Sequence, residues 1–147
     1  MITEFIQIFS RDLDKLTSEI SEFREENDLW QTTGSIKNSA GNLCLHLVGN
    51  LRTYIGKNLG SDSYVRDREA EFTLMNIPKE KLLQQVEEAK RIVKATLGQM
   101  QEEALTETYP ENVLGQEMTT GFFLMHLSAH LSYHLGQINY LRRALKQ

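Results

Sequence analysis

The sequence predicts an all-α protein folded as a four-helix bundle, and three observations carry that expectation. Four segments repeat apolar residues at three- and four-residue steps, no stretch of useful length alternates apolar and polar residues as a strand would, and no Pro-, Gly- or Ser-rich linker divides the 147 residues. An amphipathic helix has one face to bury, so four of them around a shared core are the economical arrangement, and residues 1–147 read as one domain.

In helix one, Ile2, Phe5, Ile6, Phe9, Leu13, Leu16, Ile20 and Phe23 recur on one face with Arg11, Asp12, Glu19 and Glu22 between them, which predicts a helix from Thr3 to Glu26. A polar loop from Asn27 to Asn38 follows, containing Trp30 and Gly34. Ser39 then offers a side-chain acceptor for the first free amides of helix two. Leu43, His46, Leu47, Asn50, Leu51, Tyr54 and Ile55 share the inner face of that helix, and Gly60 with Ser61 stops it.

Residues Ser61 to Pro78 form a long connection, and Pro78 marks the start of helix three, whose inner face reads Leu82, Val86, Ala89, Val93, Thr96 and Met100. Tyr109-Pro110 breaks the chain before helix four, expected from Met118 to Lys146 with Phe123, Leu127, His130, Leu131, His134, Ile138, Leu141 and Leu145 facing inward. A long connection allows its two helices to run parallel, because an extended chain covers about 3.3 Å per residue. An up-down-down-up bundle follows, with a crossover between helices two and three and with helix four antiparallel to helix two.

The composition removes several classes of function. The formal net charge is −4 and no basic block exists, so the electrostatic footprint of a nucleic-acid binder is missing. No uncharged apolar run reaches membrane-spanning length, and the first residues already follow a helical pattern with acidic charge, unlike a signal peptide. Cys44 is the single cysteine, which excludes an internal disulfide and thiol-pair metal sites and fits a reducing, cytoplasmic setting. On a helix Cys44 points well away from His46, and its expected role is that of a small hydrophobe.

The histidines are the informative residues. Three of four fall in HLSAHLSYH on helix four, at 126, 130 and 134, and the fourth, His46, lies on the inner face of helix two. His130 and His134 are one helical turn apart, so both imidazoles reach one metal ion, and His46 is the histidine available from another helix. The pair His126/His130 has the same spacing, and spacing does not choose between the two pairs. Antiparallel packing does: the early part of helix two then faces the later part of helix four, which favours His130/His134. Three neutral imidazoles buried without a cation would leave donors and acceptors to satisfy, at about 1–3 kcal/mol for each left unpaired. No Glu-x-x-His step occurs, which rejects a ferritin-like dinuclear site, and the HExxH zinc-protease motif is absent.

The stretches NLCLHLVGNLRTYIG, VRDREAEF and HLSYHLGQINYLRR, in that order, resemble the DinB/YfiT superfamily of small four-helix metal proteins, in particular a less characterised subfamily with HLxGN and RDRxxEF stretches. The resemblance covers nearly the whole chain. It implies a three-histidine site of His46, His130 and His134 for a divalent metal such as zinc, nickel or iron, and, as in some members, a metal-dependent S-transferase using a low-molecular-weight thiol with a small-molecule substrate. Other members have no assigned activity, so a metal-binding or stress-associated protein without turnover is the alternative it implies. It also implies a homodimer.

Asn50 and Gln137, each about one turn from a histidine, are candidates for orienting the ligand rings. Arg66 and Arg68 are candidate contacts for an anionic thiol or substrate, within a charged run, Arg66 to Glu71, whose simpler role is to pin the connection to the bundle. Trp30, Phe122 and Phe123 are expected to be core or loop anchors, and Tyr133 to face outward.

Overall fold

A computed structural model describes residues 1–145, and all regular elements among them are helical. The four predicted helices correspond to α1 (Ile2–Glu22), α2 (Ala40–Leu51), α4 (Lys79–Gln99) and α5 (Thr120–Ala144). The expected end of helix four at Lys146 lies outside the described residues. A short fifth helix, α3 (Arg68–Thr73), sits inside the long connection from Ser61 to Pro78, where the sequence pattern predicts no helix. Asp67 starts it by accepting a hydrogen bond from the Ala70 amide at 3.0 Å.

Local chemistry sets the boundaries. Ser39 caps α2 as expected, its hydroxyl oxygen accepting from the Asn42 amide at 3.1 Å, and Thr119 caps α5 in the same way through the Phe122 amide at 3.2 Å. Helix α1 ends at Glu22 rather than Glu26, because Phe23 turns extended while its ring stays fully buried. A 3-10 turn, Glu26–Trp30, then carries Leu29 and Trp30 into the core. The Trp30 ring lies against Gly41, where a Cβ would stand 2.6 Å from it, so this loop docks only because α2 has no side chain there. Beyond Leu51 the helix widens into a π-helical stretch, Arg52–Lys57, a form that recurs at functional sites.

Side-chain contacts give the direction of the four long helices. Lys90 reaches Asp14 at 2.6 Å while Lys79 reaches the Phe23 carbonyl at 2.8 Å, so α4 runs antiparallel to α1. Tyr54 meets Phe123 (5.4 Å between centroids) while the earlier His46 meets the later His134 (5.2 Å), so α5 is antiparallel to α2. Gly56 faces Ile92 and Gly60 faces Thr96, so α2 and α4 are parallel. These relations make an up-down-down-up bundle with its crossover between α2 and α4. The core is built from Phe9, Leu13, Leu16, Ile20, Leu47, Leu51, Leu82, Val86, Val93, Phe123, Leu131 and Ile138, all buried. Each large apolar side chain contributes about 1.5–3 kcal/mol by leaving water. Among the described residues no helix is long and apolar enough to cross a membrane.

Candidate metal centre

Antiparallel packing of α2 on α5 brings three imidazoles together near the middle of the bundle. His46 Nε2 and His134 Nε2 each lie 3.1 Å from His130 Nε2, and the three ligand atoms fall within 4.8 Å of one another. His46 is buried, and His130 and His134 are half-buried, so the cluster opens toward the surface along α5. His126 stays outside it: the side chain is exposed and its ring stacks on Phe123 at 5.7 Å.

The outer nitrogens decide what the inner ones can do. His46 Nδ1 lies 3.0 Å from Glu71 Oε1, a carboxylate that only accepts, so Nδ1 carries a proton, and in the neutral ring Nε2 carries a bare lone pair. His134 Nδ1 donates to Gln137 Oε1 at 2.7 Å, which leaves its Nε2 bare as well. His130 can direct one Nε2 proton at one of these neighbours, and the other pair of nitrogens then meets lone pair to lone pair. His130 Nδ1 is buried with no hydrogen-bond partner among the described residues. A cation bound by all three Nε2 atoms relieves the conflict. With metal–nitrogen bonds of 2.0–2.1 Å, tetrahedral ligands stand roughly 3.3 Å apart, close to the 3.1 Å of the two pairs that His130 makes. The group could therefore hold a metal ion.

Burial favours the neutral form of His130 and His134. Burial, followed by the neighbouring His134 and His46, pushes His130 down to about 4, and burial also lowers His134 against the opposing pull of Gln137. Burial of Glu71 favours its neutral form, but hydrogen bonds from His46 and Arg66 outweigh it and hold the carboxyl below its ordinary value. Arg66 clasps Glu71 with two N–H groups, at 2.8 and 2.9 Å, and so neutralises the charge behind His46.

Glu71 is the residue sequence reasoning missed. It lies on α3, is 4% exposed, and occupies the His46 Nδ1 position considered for Asn50. Asn50 is buried nearby with its Oδ1 unpartnered among the described residues. Gln137 does contact its histidine. Arg66 turns inward to Glu71 and also approaches His46 Nδ1 at 3.4 Å, and the Arg68 guanidinium lies 5.7 Å over the Phe72 ring. Phe72 in turn covers the His46 ring at 4.9 Å. Gly49 makes room for this arrangement, because a Cβ there would overlap the Glu71 carboxylate. Cys44 is fully buried, and burial pushes its thiol up to about 12, so it takes no part.

The sequence profile of the family described as a protein of unknown function, DUF1572, matches residues 3–147. The chain belongs to this DinB/YfiT-like family. Two solved structures share its fold. A DinB-like protein from Bacillus cereus is 17% identical, with 97% of this chain and 91% of that chain aligned at a TM-score of 0.76. A conserved protein from Enterococcus faecalis is also 17% identical, with 93% and 94% aligned at a TM-score of 0.71. No curated protein sequence matches this DUF1572 chain.

Proposed function

We propose that this DUF1572 protein binds one divalent ion, zinc, nickel or iron, through Nε2 of His46, His130 and His134, and that it presents a low-molecular-weight thiol to an electrophilic small molecule as a metal-dependent S-transferase. The observation that carries the metal reading is the convergence of three imidazole nitrogens whose outer partners, Glu71 and Gln137, leave lone pairs pointing at one another. Three protein ligands would leave coordination positions free, and an ion so held would lower the pKa of bound water to about 7 and favour the thiolate form of a bound thiol. Glu71 fixes the His46 ring orientation through Nδ1, Arg66 balances the Glu71 charge, and Phe72 shields the ring from water. The thiol partner follows from the family resemblance.

Metal content of untagged protein, followed by single alanine replacements, tests the site. Loss of metal is expected for His46→Ala, His130→Ala and His134→Ala, with retention for His126→Ala. Loss for His126→Ala with retention for His134→Ala would overturn the ligand set. Conjugation assays with cellular thiols and the metal-loaded protein test the reaction, and no turnover with any thiol leaves a metal-binding protein without catalysis. The resemblance also supports a homodimer, for which the exposed Phe122, Met125 and Tyr133 along the outer side of α5 are a suitable surface. Sedimentation of wild type against Tyr133→Glu would detect it.

A further inference from the structure

One turn beyond the histidines, between α5 and the loop that precedes α2, lies a cavity of about 400 Å³ that the proposed chemistry leaves unused. Its walls are apolar, formed by Ile36, Leu43, Tyr140 and Leu141, and its polar side chains include Lys37 and Gln137. A volume of this size falls within the range of small-molecule sites.

Two features indicate what it takes. Among the described residues no carboxylate lines it, in a chain with 20 acidic and 16 basic residues, whereas Lys37 stands exposed in its wall. The cavity is therefore electrostatically biased toward anions while its body favours hydrocarbon. Gln137 belongs to both places, since the side chain that lines the cavity also accepts the hydrogen bond from His134 Nδ1.

We infer that this cavity seats the apolar arm of a carboxylate-bearing small molecule, with the carboxylate near Lys37 and the hydrocarbon against Leu43, Tyr140 and Leu141. The inference deepens the proposed function, on whose metal site it rests for its meaning, by naming an amphipathic monocarboxylate as the substrate class. A molecule held there contacts Gln137, so its binding bears on the orientation of His134.

Calorimetric titration with octanoate and with octylammonium, which share a chain and differ in charge, tests it on protein with and without bound zinc. Octanoate is expected to bind both forms, octylammonium at least about tenfold more weakly, and Lys37→Glu to weaken octanoate by about tenfold. Tyr140→Ala, at a position 72% exposed and so safe for folding, should weaken both ligands together. Equal binding of the two ligands, an unchanged octanoate affinity in Lys37→Glu, or no octanoate binding at all would overturn the inference. The two readings fail separately: octanoate binding by a protein that takes up no metal removes the metal site alone, and zinc-loaded protein indifferent to octanoate removes the cavity alone.

Discussion

Gly49→Ala adds a single methyl group on α2, and it should damage the metal centre without touching any of the three histidines. The added Cβ would overlap Glu71 Oε2 and stand 2.8 Å from Glu71 Cδ and 3.4 Å from the Tyr64 hydroxyl. A flexible carboxylate could normally swing aside, but this one is held by two Arg66 contacts and by His46. Moving it strips His46 of its Nδ1 acceptor, and loss of such an outer partner costs about 10–100-fold in metal affinity, or roughly 1.4–2.7 kcal/mol. It also separates a buried ion pair, worth about 3–5 kcal/mol when broken, against which the better helix propensity of alanine returns up to about 1 kcal/mol. A net loss of about 2–4 kcal/mol in the metal-free protein is expected. Competition for zinc against a chromophoric chelator reads the first effect and thermal unfolding the second. Gly98→Ala on α4, where a Cβ meets nothing within 4 Å, is the control and should be neutral or stabilising. If Gly49→Ala binds zinc within about twofold of wild type and unfolds at the same temperature, Glu71 does not support His46.

Glu71→Gln keeps the shape but lacks the charge, and chelator competition should find zinc bound about tenfold more weakly than in wild type. The folded-state pKa of His130, about 4, lies below the ordinary value of 6.5, so the stability that this neutral ring contributes is present above pH 6.5 and is lost as pH falls through 4. His134 shifts in the same direction, and calorimetric scans of metal-free protein should show a melting temperature falling across that window, with zinc moving the fall to lower pH. Tyr109→Phe removes an O–H that donates to the Tyr54 carbonyl at 2.6 Å and should cost about 1–2 kcal/mol in denaturant unfolding. Cys44 should resist a thiol-reactive disulfide reagent in the native protein and react once denaturant exposes it.

The bundle was readable because its signals are periodic and local. The three- and four-residue apolar steps, the Ser39 cap and Pro78 each act within a turn of where they lie. The crossover direction was also readable, from the length of the connection. Glu71 was not, because nothing near it in sequence distinguishes it from the other charges between Arg66 and Glu71, and its partner His46 is 25 residues away. A signal was nevertheless present: a buried imidazole offering Nε2 to a metal needs an acceptor at Nδ1. Asn50 was the nearest candidate along α2, and it lost the position to a carboxylate delivered by a helix too short for periodicity to reveal. The widening of α2 after Leu51 likewise depends on tertiary contacts that no local pattern encodes.

Because α3 lies in the crossover, the segment that reverses no direction but carries the chain back along the bundle is also the back wall of the histidine cluster. Topology and coordination chemistry are thereby coupled in one stretch of chain. A cut or insertion between Gly60 and Pro78 would leave the apolar core of α1, α2, α4 and α5 to assemble, yet release Glu71, Arg66 and Phe72 together from His46. Metal affinity would then fall before helicity does, so the ion reports whether the strap is fastened and the circular dichroism signal does not.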